Sequence, residues 1–84
     1  MSDPLFDEVI GILAAAKRRP PDTISPDNSL VELGFDSLDV ITTVFELESK
    51  FKISISDDHV RSLRTVNDVV EGVRTLIAEK TTHA

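Results

Sequence analysis

Few side chains in this 84-residue chain could do chemistry. There is no cysteine, so no thiolate nucleophile or disulfide framework is available. The histidines are His59 and His83, and the serine in the most distinctive setting is Ser37, within Gly34-Phe35-Asp36-Ser37-Leu38-Asp39. A nucleophilic serine needs a base within hydrogen-bond reach and a third group to orient that base. His83 belongs to a tail, Lys80 to Ala84, that reads as frayed, and His59 could in principle approach Ser37. A chain this short offers little wall for a substrate pocket, so no catalytic residue is assigned. Asp57-Asp58-His59 does not make a metal site, because consecutive helical residues point apart and Ca or Mg would need more converging oxygens. Ser37 has another use. It falls on a first helical turn, where N–H groups lack intrahelical partners and the macrodipole favours negative charge. A phosphate attached to its hydroxyl would sit where helix N-termini commonly hold phosphates.

The elements that position these residues are helical. Asp3 and Pro4 open a first helix over about 4–18, with Phe6, Val9, Ile10, Leu13 and Ala16 at helical spacing. Lys17, Arg18 and Arg19 would complement its C-terminal dipole, and Pro20-Pro21 stop it. Residues 20–35 form a long connection, anchored by Ile24, Leu30 and Leu33, with a short helical turn expected over Ser29–Leu33. Gly34 supplies backbone freedom before the next helix. That helix, about Ser37 to Phe51, has Asp36 as N-cap and Asp39 completing a capping box. Val40, Val44, Leu47 and Phe51 form its buried stripe, with Ile41 flanking. Leu38 and Phe45 lie roughly 130–150° away, beside Asp39 and Glu46, so the outer face pairs apolar side chains with carboxylates. Such a face suits a contact surface.

Lys52-Ile53-Ser54-Ile55-Ser56 reads as an extended connection with both isoleucines pointing inward. Ser56 caps a short third helix with Asp57 and Asp58 in its first turn and Val60 and Leu63 reaching the core. Thr65 caps a fourth, with Asp68 in the capping-box position and a stripe of Val66, Val69, Val70, Val73, Leu76 and Ile77. Gly72 would mark a close approach to another helix. The fold expected is all-α: a small four-helix bundle of three main helices and a short third one, with a long loop after the first, forming a single domain over residues 1–84.

Composition bounds the partners. Lys plus Arg is 9 and Asp plus Glu is 15, a net charge of −6 that argues against nucleic acid and toward basic protein surfaces. No stretch has the length of a membrane span, and Met1-Ser2-Asp3-Pro4 is not a signal sequence, so a cytoplasmic monomer is expected.

The segment from Asn28 to Asp39, Asn-Ser-Leu-Val-Glu-Leu-Gly-Phe-Asp-Ser-Leu-Asp, resembles the attachment segment of acyl carrier proteins. The likeness extends to the chain length, the acidic balance, Leu47-Glu48 and Phe51, Ile55-Ser56-Asp57-Asp58, and Thr65-Val66. It implies that a phosphopantetheinyl transferase attaches 4′-phosphopantetheine from coenzyme A to Ser37, beside Asp36, and that the arm's thiol carries acyl groups as thioesters. Acyl-loading and acyl-using enzymes with basic docking patches would meet Leu38, Asp39, Phe45, Glu46 and Glu48, and those acids, with Asp36, have no compensating base along the helix before Lys50. An acyl cleft would be lined by Val44, Leu47, Ile55, Leu63 and Val69. The chain departs from bacterial fatty-acid carriers at Thr42, Thr43, Glu46, Ser49 and Lys52. A carrier for fatty acids, a specialised lipid or a polyketide therefore remains open, as do an aminoacyl or peptidyl carrier and an unmodified helical interaction module.

Overall fold

The computed structural model describes residues 3–82. His83 and Ala84, expected to fray, lie outside them, as do Met1 and Ser2. Helix α1, Pro4–Ala16, starts as its sequence dictates: the Asp3 carboxylate accepts from the Leu5 N–H at 3.1 Å, and Pro4 fills the position that needs no donor. It ends earlier than the periodicity suggests. Arg18 takes a left-handed φ of 52°, its N–H reaches the Ala15 carbonyl at 3.2 Å, and the Arg19 N–H reaches Ala14 at 3.0 Å. This is a Schellman termination with arginine where glycine is usual. Lys17, Arg18 and Arg19 therefore lie past the last helical turn, not within it. Val9, Ile10, Leu13 and Ala14 are buried, whereas Ala16 is exposed, because the stripe follows 9, 10, 13 and the adjoining 14 around the barrel of the helix.

The long connection is tied down. A 3₁₀ turn at Pro21–Thr23 follows the prolines, and Ile24, Leu30, Leu33 and Phe35 are buried. Its backbone pairs with the start of the last helix: the Leu30 N–H donates to Arg64 O at 2.9 Å, the Val66 N–H to Asn28 O at 3.0 Å, and the Asn67 N–H to Pro26 O at 3.0 Å. Ser29 and Glu32 cap a single turn reciprocally, at 2.7 and 3.0 Å. Gly34, at φ 86°, closes that turn, and the Phe35 N–H returns to Leu30 O at 2.9 Å.

Helix α2 is Ser37–Phe51, α3 Asp57–Ser62 and α4 Val66–Thr82, so four α-helices and no strand occur among the described residues. Lys80, expected in a frayed tail, is helical and donates from Nζ to the Phe51 carbonyl at 3.1 Å. Helix α1 packs against both α2 and α4, and α3 lies against α2. Thr65 and Asp68 form the expected capping box of α4, and Ser56 Oγ caps α3 by accepting from the His59 N–H. Val66, Val69, Val70 and Val73 are buried, and Ile53, Ile55 and Leu63 pack against the core from its edge. Val60 is only half-buried and is not part of that packing. Gly72 faces α3 but not at a distance that needs glycine: a Cβ there would lie 3.7 Å from Leu63 Cδ2 and 3.8 Å from His59 Nε2, ordinary van der Waals contacts.

Candidate functional site

The N-terminus of α2 is held by its own sequence. Asp36 Oδ1 accepts from the Asp39 N–H at 2.8 Å, and Asp39 Oδ2 accepts from the Asp36 N–H at 3.2 Å. Ser37 is the first helical residue and is exposed, and its hydroxyl has no hydrogen-bond partner among the described residues. Phe35, which the sequence reading left unassigned, is buried one position before the cap. With Val40 four helical positions in, it occupies the hydrophobic-staple pattern, and that pattern was readable from the sequence.

Tertiary structure then changes the electrostatics. Lys17, just past the end of α1, places Nζ 3.0 Å from Asp39 Oδ2 and 5.6 Å from the centre of the Phe35 ring. The lysine hydrogen bond, helped by the Asp36 N–H, holds the Asp39 carboxyl below the usual aspartate value. Asp39 is thus compensated: α2 itself offers no base before Lys50, but one comes from just past the end of α1, 22 residues away in sequence. Glu48 is also engaged, its Oε2 accepting from the Ile55 N–H at 2.8 Å. Asp36 and Glu46 are exposed.

The outer face of α2 carries Leu38, Ile41 and Phe45, exposed to 70%, 46% and 64%. Ile41 belongs to this outer stripe rather than flanking the buried one, because 38, 41 and 45 repeat at the helical spacing of three and four. In its place Thr43 is buried beside Val44 and Leu47.

Ser37 stands on an open groove of about 1050 Å³ between the connection, α2 and α3. Val31, Phe35, Val40, Val44, Ile55 and Leu63 give it apolar walls, and Asp36, Glu48, Asp57, Arg61 and Arg64 also line it. No imidazole among the described residues lines it: His59 turns its ring toward Gly72 on α4. Chemically, the groove has room for a flexible chain beside Ser37, and no base among the described residues is hydrogen-bonded to the hydroxyl.

Beneath the groove lies a second cavity of about 10 Å³, lined by Leu13, Leu30, Phe35, Val40, Thr43, Val44, Leu47, Leu63 and Val69. The expected cleft residues divide between the two spaces. Val44, Leu47, Leu63 and Val69 line the cavity, while Ile55 lines only the groove. A space of that size holds about one water-sized probe and no acyl chain. Thr43 is its polar lining residue, 4% exposed, and Oγ1 is buried without a hydrogen-bond partner. A helical threonine can usually bond a carbonyl one turn back, and an unmade buried hydroxyl bond costs about 1–3 kcal/mol.

The family model described as the phosphopantetheine attachment site matches residues 7–80. An acyl carrier protein of Sulfurovum sp. is 41% identical over 68 residues, spanning 80% of this chain and 91% of the relative. One from Campylobacter hominis is 36% identical over 77 residues, spanning 90% and 98%. A crystal structure of an acyl carrier protein from Thermotoga maritima superimposes with a TM-score of 0.76 at 30% identity, covering 86% of this chain and 85% of that one.

Proposed function

Since this chain belongs to the phosphopantetheine-attachment family of acyl carrier proteins, we propose that Ser37 is the residue that bears its arm. The protein is an acyl carrier, and its cofactor is 4′-phosphopantetheine. The observation that supports Ser37 is its hydroxyl: exposed, without a partner, on the first turn of a doubly capped helix and at the rim of an apolar groove. The helix N-terminus suits a phosphodiester there, and the groove suits the chain that follows it. In attachment, Ser37 Oγ would displace adenosine 3′,5′-bisphosphate from coenzyme A, forming the new P–O bond and giving up its proton to the transferase. Bound there, the group would supply the thiol that this cysteine-free chain lacks and would carry acyl groups as thioesters.

The rest of the site would position and present. The reciprocal bonds of Asp36 and Asp39 hold Ser37 in register, and Lys17 fixes the end of α1 against them. Leu38, Ile41, Phe45 and Glu46 would form the surface offered to the phosphopantetheinyl transferase and to acyl-handling enzymes with basic patches. With no base hydrogen-bonded to Ser37 among the described residues, the chain would tether and not catalyse. The pathway proposed is assembly of fatty acids, specialised lipids or polyketides.

Coenzyme A and a broad-specificity transferase should add one phosphopantetheine increment to the intact mass, mapping to the peptide with Ser37. The Ser37→Ala variant should take none while melting like the parent. A thiol reagent should label only the modified protein. An unmodified parent, or an increment that survives in Ser37→Ala, overturns the assignment.

A further inference from the structure

We infer that Lys17 sets docking specificity: by pairing with Asp39 it withholds that carboxylate from partner enzymes, so recognition falls on Glu46 and the apolar stripe of α2. The inference rests on the tether at Ser37 and deepens it by naming which side chains a partner reads.

Several contacts hold Lys17 in place. Its Nζ donates to Asp39 Oδ2 at 3.0 Å and lies 5.6 Å from the centre of the Phe35 ring. Its stem runs beside Gly34, where a Cβ would meet Lys17 Cε at 3.6 Å. The backbone fixes where that stem begins, because α1 closes through Arg18 at φ 52° with the Lys17 and Arg19 N–H groups both on the Ala14 carbonyl. The lysine thus lies along the whole segment that leads into α2. Capping does not require it: Asp36 and Asp39 close their box without it.

The consequence falls on the face that a partner must approach to reach Ser37. Asp39 follows exposed Leu38, and its Oδ2 already accepts from Lys17 and from the Asp36 N–H. A basic side chain arriving from a partner must share that carboxylate with a like charge or displace Lys17, and like charges brought together cost affinity. Glu46, seven residues further on, is exposed and has no ion pair among the described residues. Enzymes that aim a base at Asp39 are therefore disfavoured against those that read Glu46 with Leu38, Ile41 and Phe45. Discrimination through a built-in repulsion of this kind needs no added attraction to the preferred partner.

The test follows modification by coenzyme A and a broad-specificity phosphopantetheinyl transferase with a basic docking patch, at low and high salt. Lys17→Met keeps an apolar stem against Phe35 and removes the charge. It should lower the KM for the carrier about threefold at low salt, with the change in KM and not in kcat, and added salt should narrow it. Lys17→Arg, which can still pair with Asp39, should behave as the parent does. Arg18→Gln removes the same charge from the exposed neighbour that does not hold Asp39, and should change KM much less. Combined with Asp39→Asn, Lys17→Met should bring no more gain than Arg18→Gln does. A KM that stays or rises in Lys17→Met, an equal gain from Arg18→Gln, or a full gain that persists with Asp39→Asn overturns the inference. Should Lys17→Met melt below the assay temperature, Lys17→Gln takes its place under the same criteria. Titration calorimetry of the transferase against Ser37→Ala forms of these variants should give the same order of affinities without any modification. The intact mass of the parent reports separately whether Ser37 takes the arm, so failure of the tether is not confused with failure of the masking.

Discussion

The Asp39 carboxylate closes the capping box of α2 and binds Lys17 across the bundle, with both contacts on Oδ2. Both favour its charged form, so its folded pKa lies below that of an ordinary aspartate. The sign follows. Stability from Asp39 is fully present above the unfolded value and is lost as pH falls through the lower folded one. Asp39→Asn should therefore reduce the thermal midpoint clearly at neutral pH, and the difference from the parent should shrink well below pH 3.8. A difference of equal size at both pH values would refute this account. The capping role was legible in the sequence because three residues separate donor and acceptor. The partner Lys17 was not, since only the packing of α1 on α2 brings it there.

Each helix begins on a local signal. Asp3, Asp36, Ser56 and Thr65 all accept from first-turn N–H groups, and Asp36 and Thr65 do so within reciprocal boxes. Helix ends were harder to read. Arg18 and Lys52 take left-handed φ values of 52° and 55°, positions where composition offers no glycine to mark them. Gly72 is the opposite case, a glycine inside α4 with an ordinary backbone. A methyl there would meet Leu63 and His59 at normal van der Waals distances. Gly72→Ala should thus stabilise the protein by about 0.5–1 kcal/mol in urea unfolding, from helix propensity. A loss of stability would mean that α3 and α4 pack more tightly than these distances allow.

At the scale of the molecule, the net charge of −6 is not spread evenly in its effects. Asp3 is paired with Arg74, Glu71 with Arg74, and Asp39 with Lys17. Exposed Glu46 has no such partner among the described residues and sits on the helix that carries the apolar stripe Leu38, Ile41 and Phe45. Glu46→Lys should slow acyl transfer with a partner enzyme by about threefold or more at low salt, and added salt should narrow the gap. Glu79→Lys, the same charge change at an exposed position of α4, should do much less. Equal effects would make net charge, not the α2 face, the determinant of docking.

The sequence by itself determined the helices, their caps, the anchoring of the long connection and the exposed serine, because these depend on spacing within a few residues. Family membership was legible for the same reason, in the run from Asn28 to Asp39. Tertiary structure decided which acids are neutralised, that Ile41 joins the outer face, and that the space among Leu13, Thr43, Leu47 and Val69 is only about 10 Å³. It also decided that Thr43 is buried with its hydroxyl unpaired. Those facts depend on which side chains of α1, α3 and α4 meet α2, and the periodicity of one helix carries no record of its neighbours.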